Sequence, residues 1–208
     1  MEAGKRVWLW GGVVLAGGVG LVTLLSREDE PAKVPRPPLP TDRPATRRRR
    51  IPPGTRMLAV GDSLAQGLAL PFATLGKAGG VVVRTAGVQG STVRAWALGA
   101  GLARELAAFH PDVVLLVLGT NDLKAVDPAL AAEARGLVEQ ARTVAPEVVW
   151  VAPPTMPFPD GPGVRAAIAK AGADVFPSEA LSIPRGPDGV HPTAVGYAGW
   201  AGALWRWL

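Results

Sequence analysis

Ser63, Asp188 and His191 are side chains from which a nucleophile, a base and a base-orienting acid can be assembled. Ser63 stands in Val60-Gly61-Asp62-Ser63-Leu64, after the apolar run Met57 to Val60 and before Ala65-Gln66-Gly67-Leu68. That order reads as strand, turn, helix. Such a turn puts a hydroxyl at the carboxyl end of a strand. Beside it lie N–H groups with no partner inside the helix, at the positive end of its dipole. A serine is a poor nucleophile until a base takes its proton. His191 is the sensible base, histidine being the side chain most used for that work. Asp188 precedes it by three residues, so a tight turn can set its carboxylate against the imidazole, fixing the tautomer and stabilising the imidazolium.

Acyl transfer also needs donors for an oxygen that becomes negative. The candidates are the Ser63 N–H, the Gly90 N–H and the Asn121 side-chain amide. Gly90 lies in Gly87-Val88-Gln89-Gly90-Ser91-Thr92 and Asn121 in Gly119-Thr120-Asn121-Asp122. Having no side chain, Gly90 lets backbone approach a substrate closely. Other polar residues have plainer readings. Asp62 and Asp122 suit backbone bonding in turns. His110, just before Pro111, suits a helix C-terminus. Leu123, Lys124 and the loop from Pro153 to Phe158 are candidates for a substrate wall, although the prolines of that loop equally suit a rigid connection.

The elements that must position these groups alternate strand and helix. Strands are expected at about 57–60, 81–85, 113–118, 148–152 and 173–176, and helices at about 65–75, 92–109, 130–145, 164–171 and from Pro192 to the end. Val113 to Leu118 has no polar alternation, as in a central parallel strand covered on both faces. Leu130, Ala134, Leu137, Val138, Ala141 and Ala145 make a helical stripe, with Glu133, Arg135, Glu139 and Arg142 off it. Five strands, each followed by a helix, imply a three-layer α/β/α, flavodoxin-like fold with a five-stranded parallel sheet in the order 2-1-3-4-5. Ligands of such sheets bind beyond the carboxyl ends of the strands, the rim on which Ser63, Gly90 and Asn121 and the loop carrying Asp188 and His191 are expected.

Four blocks in this order resemble those of the SGNH hydrolases, or GDSL esterase/lipase family. They are Gly61-Asp62-Ser63-Leu64 with Gly67, Gly90 within Val88 to Thr92, Gly119-Thr120-Asn121-Asp122, and Asp188-Gly189-Val190-His191 continued by Pro192-Thr193 and Gly196-Tyr197. The resemblance covers residues 57–208. It implies serine hydrolysis of esters without metal or organic cofactor. By it, Ser63 is the nucleophile, His191 the base and Asp188 its partner, with Ser63, Gly90 and Asn121 forming the oxyanion hole. The expected substrate is a small-molecule or glycan ester, such as an O-acetyl group on a carbohydrate or a cell-envelope component. Few long inserts separate the elements, which leaves little material for a lid over a long acyl chain. A tethered module that binds a carbohydrate or ester without turnover is the alternative, which covalent labelling of Ser63 would separate. A flavin or nucleotide binder lacks a phosphate-gripping loop.

Composition bounds the rest. The 208 residues include no cysteine, which excludes disulfides, thiolate zinc sites and thiol catalysis. Two histidines, His110 and His191, make a multi-histidine metal site untenable. The net charge of +5 resides in residues 1–50, which hold ten Lys/Arg against five Asp/Glu. The remaining residues carry equal numbers, so nucleic-acid binding by the folded part is not expected. Val7 to Leu25 is an uncharged stretch of nineteen residues with Trp8 and Trp10 near one end. As a helix it reaches ~28 Å, close to a bilayer's hydrocarbon thickness. No small-x-small cleavage site follows it. Residues 1–25 are therefore expected to be a membrane anchor and 26–56 a disordered linker with eight prolines and the run Arg47 to Arg50. Residues 57–208 form the hydrolase domain. Lys5 and Arg6 favour a cytoplasmic amino end, opposed by Arg27, Lys33, Arg36 and Arg43. With the resemblance added, the domain is expected in the periplasm or outside the cell.

Overall fold

The computed structural model of the protein describes residues 51–124, 127–158, 160 and 163–208. The expected membrane anchor and nearly all of the expected linker lie outside them. Among the described residues no helix is long and apolar enough to cross a membrane.

β1 (Arg56–Gly61) leads into α1 (Ser63–Gly79), β2 (Val82–Gly87), α2 (Val93–Leu98), α3 (Gly101–Phe109), β3 (Val113–Val117), α4 (Leu130–Arg142), β4 (Glu147–Val151), α5 (Val164–Lys170), β5 (Asp174–Phe176) and α6 (Ala194–Trp207). The five strands are all parallel, in the order β2-β1-β3-β4-β5. Every residue of β3 is buried, as its unbroken apolar run requires, whereas the edge strand β2 has none fully buried. α1 packs against α6 on one face of the sheet, and α2, α3, α4 and α5 pack side by side on the other. The apolar stripe of α4 is buried as expected, with Leu130, Ala134, Leu137, Val138, Ala141 and Ala145 all in the core.

Four local details differ from the sequence expectation. α1 is longer at both ends: Asp62 caps its start, and it runs on to Gly79 before Gly80 turns left-handed at φ 70°. The expected helix over 92–109 is two helices, because the chain is extended at Gly99. Glu133, expected on the solvated face of α4, is buried and accepts a hydrogen bond from Arg94 at 3.0 Å. Pro192 does not open α6. Thr193 is its N-cap, accepting the Gly196 N–H at 3.1 Å, and the proline precedes the cap. His110 ends α3 as expected, in a left-handed conformation with its N–H on the Leu106 carbonyl.

Two glycines set how closely the layers meet at the rim. A side chain at Gly61, the last residue of β1, would place Cβ 2.0 Å from the Val117 carbonyl oxygen of β3. At Gly67 on α1, Cβ would fall 1.9 Å from the Tyr197 ring of α6. The first holds β1 close against β3 and the second seats the Tyr197 side chain of α6 against α1, the helix that Ser63 begins.

Candidate active site

Ser63 is the first residue of α1, so its N–H has no partner within the helix. Asp62 shapes the turn below it. The Oδ1 of Asp62 accepts the Leu64 N–H at 2.8 Å, and the Asp62 N–H donates to the Val117 carbonyl at 3.2 Å. Asp62 is wholly buried. Burial, partly offset by hydrogen bonds from the Leu64 and Ala65 N–H groups, pushes its carboxyl up to about 6.

The loop before α6 delivers an imidazole to this hydroxyl. His191 Nε2 lies 2.9 Å from Ser63 Oγ, and His191 Nδ1 lies 2.7 Å from Asp188 Oδ2. The other oxygen of Asp188 accepts the N–H groups of Val190 and His191, each at 2.9 Å. The His191 side chain, followed by these backbone donors, pulls the Asp188 carboxyl down to about 2. An ionised Asp188 therefore orients Nδ1 as the donor and leaves Nε2 as acceptor toward the serine. The expected trio thus comes together from residues 128 positions apart.

The loop has its own supports. Arg185 and Pro192 form an antiparallel bridge, with the Gly186 N–H on the His191 carbonyl at 2.8 Å and the Thr193 N–H on the Pro184 carbonyl at 2.9 Å. The Arg185 guanidinium donates through Nη1 to the Val190 carbonyl and through Nη2 to the Thr155 carbonyl at 2.5 Å. It ties the histidine loop to the loop after β4.

Asn121 sits in a 3₁₀ turn, Thr120–Asp122, after β3. Its Nδ2 donates to the Ser91 carbonyl at 2.9 Å and faces Asp62 Oδ2 at 3.5 Å, the outer limit of a hydrogen bond. One amide hydrogen is engaged and the second is only weakly held. Gly90 has φ 72°, and a Cβ there would meet nothing within 4 Å. Its glycine is explained by backbone conformation, since L side chains disfavour this region, rather than by crowding. Asp122 is buried and accepts the Val93 N–H at 3.1 Å, a structural role that starts α2.

The expected substrate wall is only partly present. Leu123 is wholly buried and lines nothing. Lys124 is exposed and lies over the Phe158 ring, 4.1 Å from its centroid. Pro153, Pro154 and Met156 are buried, and Pro157 lies 3.3 Å from where a Cβ on Gly189 would stand. The loop after β4 therefore buttresses the histidine loop. Sequence reasoning missed Arg185, the Asp62–Asn121 contact and the tether from Asn121 to Ser91. An arginine six residues before the histidine carries no motif, and a backbone acceptor leaves no trace in residue types. Among the described residues no group of three or more His, Asp or Glu side chains could hold a metal ion.

A parallel α/β/α sandwich with a serine at the first strand's carboxyl end and a histidine before the last helix defines a three-layer hydrolase. A model of the GDSL-like lipase/acylhydrolase family matches residues 59–198. The chain belongs to that family and is an esterase of GDSL/SGNH type. Solved structures of similar fold include a catalytic mutant of Axe2, an acetylxylan esterase from Geobacillus stearothermophilus. It has 20% identity and a TM-score of 0.61, covering 76% of this chain and 95% of that one. TesA shares 22% identity at a TM-score of 0.59, covering 72% and 96%. A GDSL-like lipase from Bacteroides thetaiotaomicron shares 18% at 0.55, covering 72% and 85%. No curated protein matches the chain.

Proposed function

We propose that the protein hydrolyses carboxylic esters with Ser63 as nucleophile, His191 as general base and then general acid, and Asp188 as the group that orients the imidazole. The observation that carries this reading is the pair of contacts on His191, 2.9 Å to Ser63 Oγ and 2.7 Å to Asp188 Oδ2. Ser63 Oγ attacks the acyl carbon while Nε2 takes its proton. The oxyanion is met by the N–H groups of Ser63 and Gly90 and the weakly held amide hydrogen of Asn121, which leaves Asp62 for it. Nε2 then protonates the departing alcohol, water attacks the acyl-serine with His191 again as base, and the acid is released. Support comes also from Axe2, whose catalytic mutants replace a serine, an aspartate and a histidine. In that chain too the aspartate precedes the histidine by three residues.

The acyl group is short, acetyl being the reference, because short connections leave little to cover a long chain. Residues 7–25 tether the domain to a membrane, with the site on the outer side. Protease treatment of sealed cells should then digest residues 57–208; protection inside would reverse the orientation. For the chemistry, the test is p-nitrophenyl acetate turnover together with fluorophosphonate labelling. The wild type should turn over and label at Ser63, and Ser63→Ala should do neither while keeping its Tm. A wild-type protein that neither labels nor turns over any ester supports the silent binding module instead.

A further inference from the structure

Leu70 on α1 is 77% exposed, unusual for a leucine on a helix otherwise buried through Leu64, Leu68 and Phe72. It borders a groove of about 630 Å³ between α1 and α6, within the range that holds small ligands. Gly67, Leu70, Leu75, Pro192, Tyr197 and Ala198 are among its lining, which contains no charged side chain. Ser63, Asp188 and His191 do not line the groove themselves, but chain neighbours of Ser63 and His191 do. Gly67 lies one helical turn below Ser63 on the same face of α1. Pro192 is bonded to His191. The Tyr197 ring occupies the space beside Gly67.

Direction follows from the layers. Gly90 and Asn121 follow β2 and β3, whose next helices, α2 and α4, pack on the face opposite α1 and α6. A tetrahedral intermediate with its oxyanion on those donors therefore turns its alkoxy oxygen toward His191, which must protonate it. The remainder of the alcohol extends on the α1–α6 side.

Resting on the serine-esterase reading above, we propose that the α1–α6 groove binds the alcohol portion of the ester, and that this portion is an aliphatic chain rather than a sugar. As the C–O bond breaks, the proton that His191 took from Ser63 passes to the alkoxy oxygen. The free alcohol leaves along the groove, and the acetyl group stays on Ser63 until water removes it as acetate. A carbohydrate ester, expected from the resemblance and the N-terminal span, would present hydroxyls to a surface whose only polar side chains are Thr74 and Tyr197.

The experiment compares kcat/KM for ethyl, butyl, hexyl and octyl acetate by acetate release. Each methylene drawn fully from water is worth up to about fourfold, so octyl acetate should exceed ethyl acetate by at least tenfold. Leu70→Asp, at an exposed position that tolerates a polar side chain, and Ala198→Trp, which fills the groove, should each cut that ratio at least fivefold. Val144→Ser, on a remote exposed site, should leave it alone. A flat wild-type series overturns the proposal. So does a length dependence confined to the acyl side, seen with methyl acetate to methyl octanoate and lost in the same variants. No turnover of any ester, with Ser63 unlabelled by fluorophosphonate, removes the serine-esterase reading itself and is distinguishable from both.

Discussion

The buried carboxyl of Asp62 faces the Asn121 amide at 3.5 Å with one oxygen while the other holds the Leu64 N–H at 2.8 Å. One side chain thus fixes the serine turn and steadies an oxyanion donor that arrives from another strand. Its burial has a cost that depends on pH. A carboxyl raised from 3.8 to about 6 binds its proton more tightly in the folded protein. It leaves stability intact below pH 4 and subtracts from it as pH rises through 6. Asp62→Asn keeps an acceptor for Leu64 and cannot ionise. Its Tm should therefore gain on the wild type between pH 4 and 7, by an equivalent of up to roughly 3 kcal/mol. Thermal melts of both proteins across that range check this; a gap independent of pH would show that the Asp62 carboxyl titrates alike in the folded and unfolded chains and is not raised by burial.

Asp188 runs the opposite way. Its carboxyl is held down at about 2, so it is ionised at any pH where the enzyme would work and sets no acid limb in activity. Asp188→Asn retains an oxygen for the Val190 and His191 N–H groups but favours the wrong imidazole tautomer. We expect kcat to fall about 10³- to 10⁴-fold with the fold intact. A depressed carboxyl adds stability above its unfolded value and loses it as pH falls toward 2. Any Tm difference between wild type and Asp188→Asn should accordingly close between pH 4 and 2.

Asn121→Ala removes a donor to the oxyanion and a tether to the Ser91 carbonyl. Donor loss of this kind lowers kcat about 10²- to 10³-fold with little change in KM. Fluorophosphonate labelling of Ser63 should slow in parallel, because that adduct also places an oxygen among the donors. Normal labelling beside a collapsed kcat would point away from Asn121 as a donor.

Arg185 is a positioning residue: it touches the Val190 and Thr155 carbonyls and holds the strip on which His191 rides. A misplacement of about 1 Å can cost about 10²-fold in rate. Arg185→Ala should lower kcat by tens of fold while KM for p-nitrophenyl acetate stays within about twofold. Arg185→Lys, with a single ammonium in place of a two-pronged donor, should restore part of the loss. A change confined to Tm, with kcat intact, would leave Arg185 a structural role only.

Much of this was legible in the residues because chemistry and periodicity pointed the same way. The unbroken run Val113 to Leu118 suited a strand covered on both faces, and the four blocks pointed to one rim for Ser63, Gly90, Asn121, Asp188 and His191. What escaped depended on tertiary distance. Glu133 looked solvated because Arg94, 39 residues away, is invisible in a helical wheel. Leu123 looked like a pocket wall because a residue after a strand end points equally well inward. The groove between α1 and α6 arises from two helices whose first residues, Ser63 and Ala194, are 131 positions apart, and only Gly67 hinted that another group stood against α1.

Gly61 gives the sharpest test of the fold beneath the site. Its φ lies outside the left-handed region, so conformational freedom does not explain the glycine. The obstacle is the Val117 carbonyl, 2.0 Å from any Cβ, on the neighbouring strand of a sheet that cannot part without losing its ladder. Gly61→Ala must either shift β1 away from β3 or twist the turn that carries Asp62 and Ser63. Overpacking a rigid backbone costs typically 1–3 kcal/mol and at times more, so we expect a Tm drop of at least about 5 °C. Because the strain sits two residues from the nucleophile, fluorophosphonate labelling of the folded fraction should slow as well. Gly90→Ala separates the two effects: its Cβ enters open space, so only the φ penalty of about 1–2 kcal/mol remains, together with a reoriented N–H. Thermal melts and labelling rates on both variants decide between crowding and conformation; an unchanged Tm in Gly61→Ala would mean that β1 and β3 yield more readily than their register implies.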